Sequence, residues 1–140
     1  MLHPKDAGLA EAVKAARRVF LIGNGGSHAN AMHIANDLAA CGIAAHTIDP
    51  ATLTAFANDY GYENAFALWL RVVAESGDTL IALSGSGKSP NILNAIAEAE
   101  KIGMRVERVF GAEAGLDMQA AEEAQLALGH EIMRRRKCLN

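Results

Sequence analysis

The chain has 140 residues, of which 51% are apolar and 21% charged, with a net charge of −3. This composition is that of one globular domain (residues 1–140) with material for a core, and it excludes the basic footprint of a general nucleic-acid binder. No apolar run reaches the length of a membrane span and the N-terminus, Met1-Leu-His-Pro-Lys-Asp6, lacks a charged-then-apolar export signal, so the expectation is a cytoplasmic protein with no membrane partner.

In chain order, residues 6–18 read as a short amphipathic helix with Leu9, Ala12, Val13 and Ala16 on one face. Residues 19–22 form a continuous apolar run, the pattern of a buried parallel strand. After the turn Gly23-Asn-Gly-Gly-Ser27, Ser27 is expected to cap a helix that carries Met32, Ile34, Ala35 and Leu38 and that Gly42 ends. Residues 43–48 are a weaker strand, 52–57 a short helix or turn, 58–61 a turn, and 63–75 a helix holding the single Trp, Trp69. Gly77-Asp78 turns the chain into the very apolar strand 79–83. A Ser84–Ser89 loop leads to a helix over 90–101, with Pro90 in the first turn, where a missing N–H costs little. Gly103 ends that helix; residues 105–110 are a strand, 111–115 a loop, and 118 to about 137 a final helix. Its basic end, Arg134-Arg-Arg-Lys137, suits a helix C-terminus, where the dipole favours cations. Four strands alternating with helices predict an α/β fold with a parallel sheet. Cys41 and Cys138 match no zinc or redox spacing.

One arrangement occurs twice: an apolar strand, a Gly/Ser-rich turn, then a helix. It aims backbone N–H groups and hydroxyls at an anion. The first copy, Gly23-Asn-Gly-Gly-Ser27, is not the dinucleotide fingerprint, because the third glycine would fall at His28. The second, Ser84-Gly-Ser-Gly-Lys-Ser89, ends like a phosphate-binding nucleotide loop, but the position of the leading glycine is Ala82, inside the strand. A loop that short suits a single phosphate, held by the hydroxyls of Ser84, Ser86 and Ser89, with Lys88 either adding charge or pointing into water. A nucleotide hydrolase is the lesser alternative.

His33 and Asp37 share a helix face at i, i+4 spacing, which serves an acid/base couple, two ligands of a divalent metal, or a surface pair. His28, one residue past Ser27, is expected to touch solvent in the first turn. His130 lies among Leu126, Leu128, Ile132 and Met133, the setting of a core or interface residue; Glu122, about two turns earlier, shares its face, with Gln125 as the nearby polar alternative.

The segments 23–38, Asn58-Asp-Tyr-Gly61, 77–91 and 95–104 together resemble the sugar isomerase (SIS) family, in its phosphoheptose isomerase branch, over roughly residues 19–115. The resemblance implies a three-layer, doubly wound sandwich, with a parallel sheet of four or five strands flanked by helices and a phosphosugar at the strand C-termini. It implies that Ser84, Ser86 and Ser89 hold the phosphate and that Asn24, Gly25, Ser27 and Asp59 line the sugar site. The catalytic base position, a Glu in the isomerases, is Asp37 here, and its acid/base partner is His130. Some members hold zinc, for which the ligands would be His33, Asp37, His130 and either Glu122 or Gln125. The implied reaction converts sedoheptulose 7-phosphate to D-glycero-D-manno-heptose 7-phosphate through an enediolate, in a homo-oligomer with sites at subunit interfaces. The alternative within the family is a non-catalytic protein that binds a phosphosugar or a replication initiator. Gly85 and Lys88 stand where the family commonly has a hydroxyl residue and Asn. Only 18 residues precede Val19, where the isomerases have a long helical pair.

Overall fold

The apolar runs become four parallel strands, β1 (Val19–Ile22), β2 (Ala45–Thr47), β3 (Thr79–Ser84) and β4 (Arg105–Phe110), in the spatial order β2-β1-β3-β4. The computed structural model describes residues 4–135; Cys138 and the last two residues of the basic run lie outside them. Around the sheet run α1 (Pro4–Ala15), α2 (Gly26–Ala40), α3 (Pro50–Tyr60), α4 (Tyr62–Val73), α5 (Pro90–Ile102) and α6 (Met118–Arg134).

Every residue of the central strands β1 and β3 is buried, whereas the edge strands β2 and β4 are half-covered. Side-chain alternation splits the core into two layers. Phe20, Ile22, Leu80 and Ala82 pack under Phe66, Trp69 and Leu70 of α4 and Ile92, Ala95 and Ile96 of α5. Val19, Leu21, Ile81 and Leu83 face the other way, onto Leu9 and Val13 of α1, Ile34 and Leu38 of α2 and Ile132 of α6. The result is the three-layer α/β sandwich.

Local differences from the sequence reading have physical causes. Ser27 does not cap α2: Gly25 does, at φ 55°, with no side-chain hydrogen bond, and Ser27 is buried one residue inside the helix. Met32 is 48% exposed, so it belongs to the outer face of α2 rather than to the core. Residues 58–60 are not a turn but the end of α3. Asp49 caps that helix by accepting from the Thr52 N–H at 2.9 Å, Pro50 opens it, and Gly61 at φ 90° stops it. The 111–115 loop contains a 3-10 turn, Ala112–Ala114.

The strand order decides where a ligand can enter. The chain leaves β1 toward β2 and leaves β3 toward β4, so the connections diverge above the C-terminal ends of two adjacent strands and open a crevice there. Both Gly/Ser loops stand at that crevice.

Candidate active site

Each loop is shaped by a close approach. A Cβ on Gly23 would lie 2.6 Å from the Ser27 backbone, so only glycine lets the chain turn this tightly from β1 into α2. Gly87, at φ 69°, lies against the Phe110 ring. In the β3–α5 loop, Ser84 Oγ accepts from the Gly87 N–H at 2.9 Å and Ser86 Oγ from the Lys88 N–H at 3.1 Å. Ser89 is the N-cap of α5, but its hydroxyl caps nothing. Gly85 lies beneath the Met118 side chain, in space that a larger residue would have to contest.

The first loop is braced from α6. Gln125, 1% exposed, donates to Ser27 Oγ at 3.0 Å and accepts from Asn30 Nδ2 at 3.0 Å; Asn30 also donates to the Glu122 carbonyl at 2.8 Å. The Glu122 carboxylate lies against Gly26, over the N-terminus of α2. Asp59 is exposed in the last turn of α3, its carboxylate accepting from Asn58 Nδ2 at 3.1 Å.

The two loops are tied together by amides. Asn24 Nδ2 donates to Asn91 Oδ1 at 3.0 Å and Asn91 Nδ2 donates to Asn24 Oδ1 at 2.7 Å. Tyr62, the first residue of α4, donates its hydroxyl proton to Asn24 Oδ1 at 2.6 Å. Sequence reasoning passed over both Tyr62 and Asn91. Their only signal is position: one follows the helix-breaking Gly61, and the other is two residues past Ser89.

His28 is not the solvent contact that its place in the first turn suggested. Both of its ring nitrogens are buried without a hydrogen-bond partner among the described residues, and burial pushes its imidazole below the ordinary value.

A cluster of chemically active groups forms farther along α2. The contacts Glu122–Gly26, Gln125–Ser27, Gly129–Ile34 and His130–His33 advance together along both helices, so α2 and α6 run side by side in parallel. A Cβ on Gly129 would lie 2.6 Å from Ile34 Cγ1; its absence lets the helices approach closely. That contact delivers His130 to the i, i+4 pair. His33 Nε2 is 3.1 Å and His130 Nε2 3.6 Å from Asp37 Oδ2, and the two imidazole nitrogens are 3.3 Å apart. Asp37 Oδ2 is buried and makes no hydrogen bond among the described residues, while the His33 and His130 side chains are 50% and 40% exposed.

Three donors directed at one another, one of them an unsatisfied buried carboxylate oxygen, suit a shared cation. Tetrahedral zinc with N and O ligands at about 2.0–2.1 Å separates them by about 3.4 Å, the scale of this triangle. His33, Asp37 and His130 are therefore a possible metal-binding triad. The Glu122 carboxylate lies apart from this triangle, over Gly26, and Gln125 is hydrogen-bonded to Ser27 and Asn30.

The SIS domain profile matches residues 7–109. A phosphoheptose isomerase from Sodalis glossinidius is 38% identical over 129 residues, covering 87% of this chain and 66% of the relative. One from Nitratiruptor is 40% identical over 113 residues, covering 75% of this chain and 60% of the relative. The chain thus spans between 60% and 66% of the length of these two curated relatives. A solved phosphoheptose isomerase from Neisseria gonorrhoeae superposes with a TM-score of 0.85 at 26% identity, over 96% of this chain and 86% of that one. With the profile spanning well over half its length and the same sandwich underneath, the chain belongs to the SIS domain family.

Proposed function

We propose that the protein is a sugar-phosphate aldose–ketose isomerase that interconverts sedoheptulose 7-phosphate and D-glycero-D-manno-heptose 7-phosphate. The observation that carries the reading is the meeting of His33 and Asp37, on the helix that follows the first loop, with His130 of α6, the Asp37 carboxylate oxygen being buried and unsatisfied. The names of the Sodalis and Neisseria relatives supply the substrate.

The phosphate falls to the Ser84–Ser89 loop on electrostatic grounds. Asp49 caps α3, Asp117 caps α6 by accepting from the Ala120 N–H at 2.8 Å, and Glu122 covers the start of α2. The start of α5 has no acid in its first turn, and Lys88 precedes it, where the helix dipole disfavours a cation. A bound phosphate offsets both. Asn24 and the Gly25 backbone then face the sugar, while Ser27, held by Gln125, supports the loop from behind.

Isomerisation moves one proton between neighbouring carbons and one between their oxygens. In this reading the Asp37 carboxylate takes the proton alpha to the carbonyl, leaving an enediolate, and returns it to the adjacent carbon. His130 carries the proton between the two oxygens. His33, Asp37 and His130 would hold a zinc ion, which when bound supplies Lewis-acid stabilisation of oxygen charge. Because two of the three side chains stand open to solvent, closure of the site falls to a second copy of the chain in a cytoplasmic homo-oligomer.

The test is turnover of sedoheptulose 7-phosphate by the wild type and by Asp37→Asn, which keeps the shape and removes the base. The variant is expected to lose about a hundredfold or more in kcat while keeping its phosphosugar affinity. Absence of turnover in the wild type, or full turnover in the variant, overturns the reading.

A further inference from the structure

Asn91 is 3% exposed, and a buried amide costs stability unless it is bonded. Its side chain has two partners among the described residues. The Ile92 backbone N–H donates to Asn91 Oδ1 at 3.0 Å, which identifies that atom as the oxygen. The other partner is Asn24, bonded reciprocally at 3.0 and 2.7 Å.

The start of α5 does not need this side chain. The Ile92 N–H also reaches the Ser89 carbonyl, at 3.1 Å, so that donor is met without Asn91. What the Asn91 side chain alone supplies is its grip on Asn24. Asn24 stands between Gly23 and Gly25, which put no side chain beside it. Among the described residues its amide is the only side chain of residues 23–27 that bonds a side chain of residues 84–91. Asn91 is in turn tied to the phosphate loop: only Pro90, whose ring fixes φ, separates it from Ser89.

We infer that Asn91 is a positioning residue for the proposed isomerisation. From the helix that follows the phosphate loop, it holds the Asn24 amide, and with it the first loop, where Asn24 meets the sugar. Buried as it is, Asn91 acts through Asn24 and not on the ligand. A group displaced by about 1 Å can cost a large factor in rate, so a fixed bridge between the two halves of the site serves turnover. The inference rests on the phosphosugar reading above.

The test is a double-mutant cycle on the full chain: wild type, Asn91→Ala, Asn24→Ala and the double variant. Turnover and calorimetric affinity are measured with sedoheptulose 7-phosphate, and affinity alone with inorganic phosphate. Asn91→Ala is expected to lose about tenfold in kcat/KM, the scale of one good hydrogen bond, because Tyr62 still holds Asn24 Oδ1. Its affinity for inorganic phosphate should match the wild type, which also reports that the variant is folded. The double variant should be no worse than Asn24→Ala, the mark of one residue acting through the other. Unchanged kcat/KM in Asn91→Ala overturns the inference, as do losses that add in the double variant. An equal loss of inorganic-phosphate affinity overturns it too, by making Asn91 a support for the phosphate loop. If the wild type binds sedoheptulose 7-phosphate without converting it, the isomerase reading falls alone, and the same cycle is decided in affinity. A wild type that takes inorganic phosphate but no sugar phosphate removes the phosphosugar reading itself, and this inference with it.

Discussion

Asp78 has no exposed surface, yet it carries a charge, and its partners explain how. Arg18 donates to both carboxylate oxygens, at 3.3 and 2.7 Å, and the Glu75 N–H donates at 2.8 Å. Burial alone would push this carboxyl up; the Arg18 hydrogen bond, the Glu75 N–H and the charges of Arg18 and Arg17 together outweigh it and hold Asp78 below its ordinary value. A carboxyl lowered by folding binds fewer protons in the folded chain than in the unfolded one. Its stabilisation is therefore complete above the ordinary carboxylate range and is lost as pH falls through the lower folded value. Urea midpoints should be level from neutral pH to about pH 5 and fall below about pH 4. Asp78→Asn should cost about 3 kcal/mol at pH 7, because it removes the buried charge facing Arg18 and leaves that guanidinium only the longer approach to Glu75, and should make the acid limb shallower. Glu98 and Glu131, lowered first by hydrogen bonds from Arg71 and Arg134, keep part of that limb in the variant. An unchanged acid limb in Asp78→Asn would refute the assignment. None of this was legible in the sequence, where Arg18 and Asp78 lie 60 residues apart. The same holds for His28: its place beside a glycine turn suggested solvent, and only the tertiary packing buries its ring.

The elements themselves were largely written in local pattern. Residues 19–22 and 105–110 became strands with the expected bounds, because apolar runs flanked by turn residues have few alternatives. The α3 error came from reading Asn58-Asp59 as turn formers when Asp49-Pro50 and Gly61 had already marked the two ends of a helix. What local pattern could not register is how α6 lies on α2. Glycine inside a helix costs stability relative to alanine, and Gly129 is in the middle of α6 because Ile34 leaves no room for a side chain. Gly129→Val should force the helices apart. We expect it to destabilise the fold by about 1–3 kcal/mol, read by calorimetry, and to reduce turnover of sedoheptulose 7-phosphate far more than affinity for inorganic phosphate. The phosphate loop meets α6 near Met118, about three turns before Gly129, so equal loss of both would mean that the α2–α6 contact does not organise the cluster separately. By the same register Glu122 and Gln125 of α6 meet the first turns of α2, and His130 lies level with His33.

At the scale of the whole molecule, alternating strands and helices made a parallel α/β sheet legible, but the order β2-β1-β3-β4 is a property of the crossovers and not of any segment. That order brings both loops to one crevice, and the return of α6 to the layer of α1 and α2 brings His130 to a residue 97 positions earlier in the chain. A cation shared by His33, Asp37 and His130 would therefore close most of the chain into one loop, which is where a clip removes the most freedom from the unfolded state. Metal binding should then register as global stability and not only as activity. At a zinc concentration about a hundredfold above its dissociation constant, linkage gives about 2.7 kcal/mol, or a rise in Tm of about 5–10 °C for a domain of this size. Chelation with EDTA should reverse it. His130→Gln removes the imidazole that crosses from α6 and leaves the i, i+4 pair on α2 intact, so its Tm should be nearly indifferent to zinc while His28→Ala keeps the wild-type response. If His130→Gln retains the full zinc-dependent rise, the metal binds on α2 alone and does not clip the two helices. If the wild type shows no rise at all, the triangle of donors is a hydrogen-bonding and proton-transfer cluster, and the carboxylate and imidazoles carry the isomerisation without it.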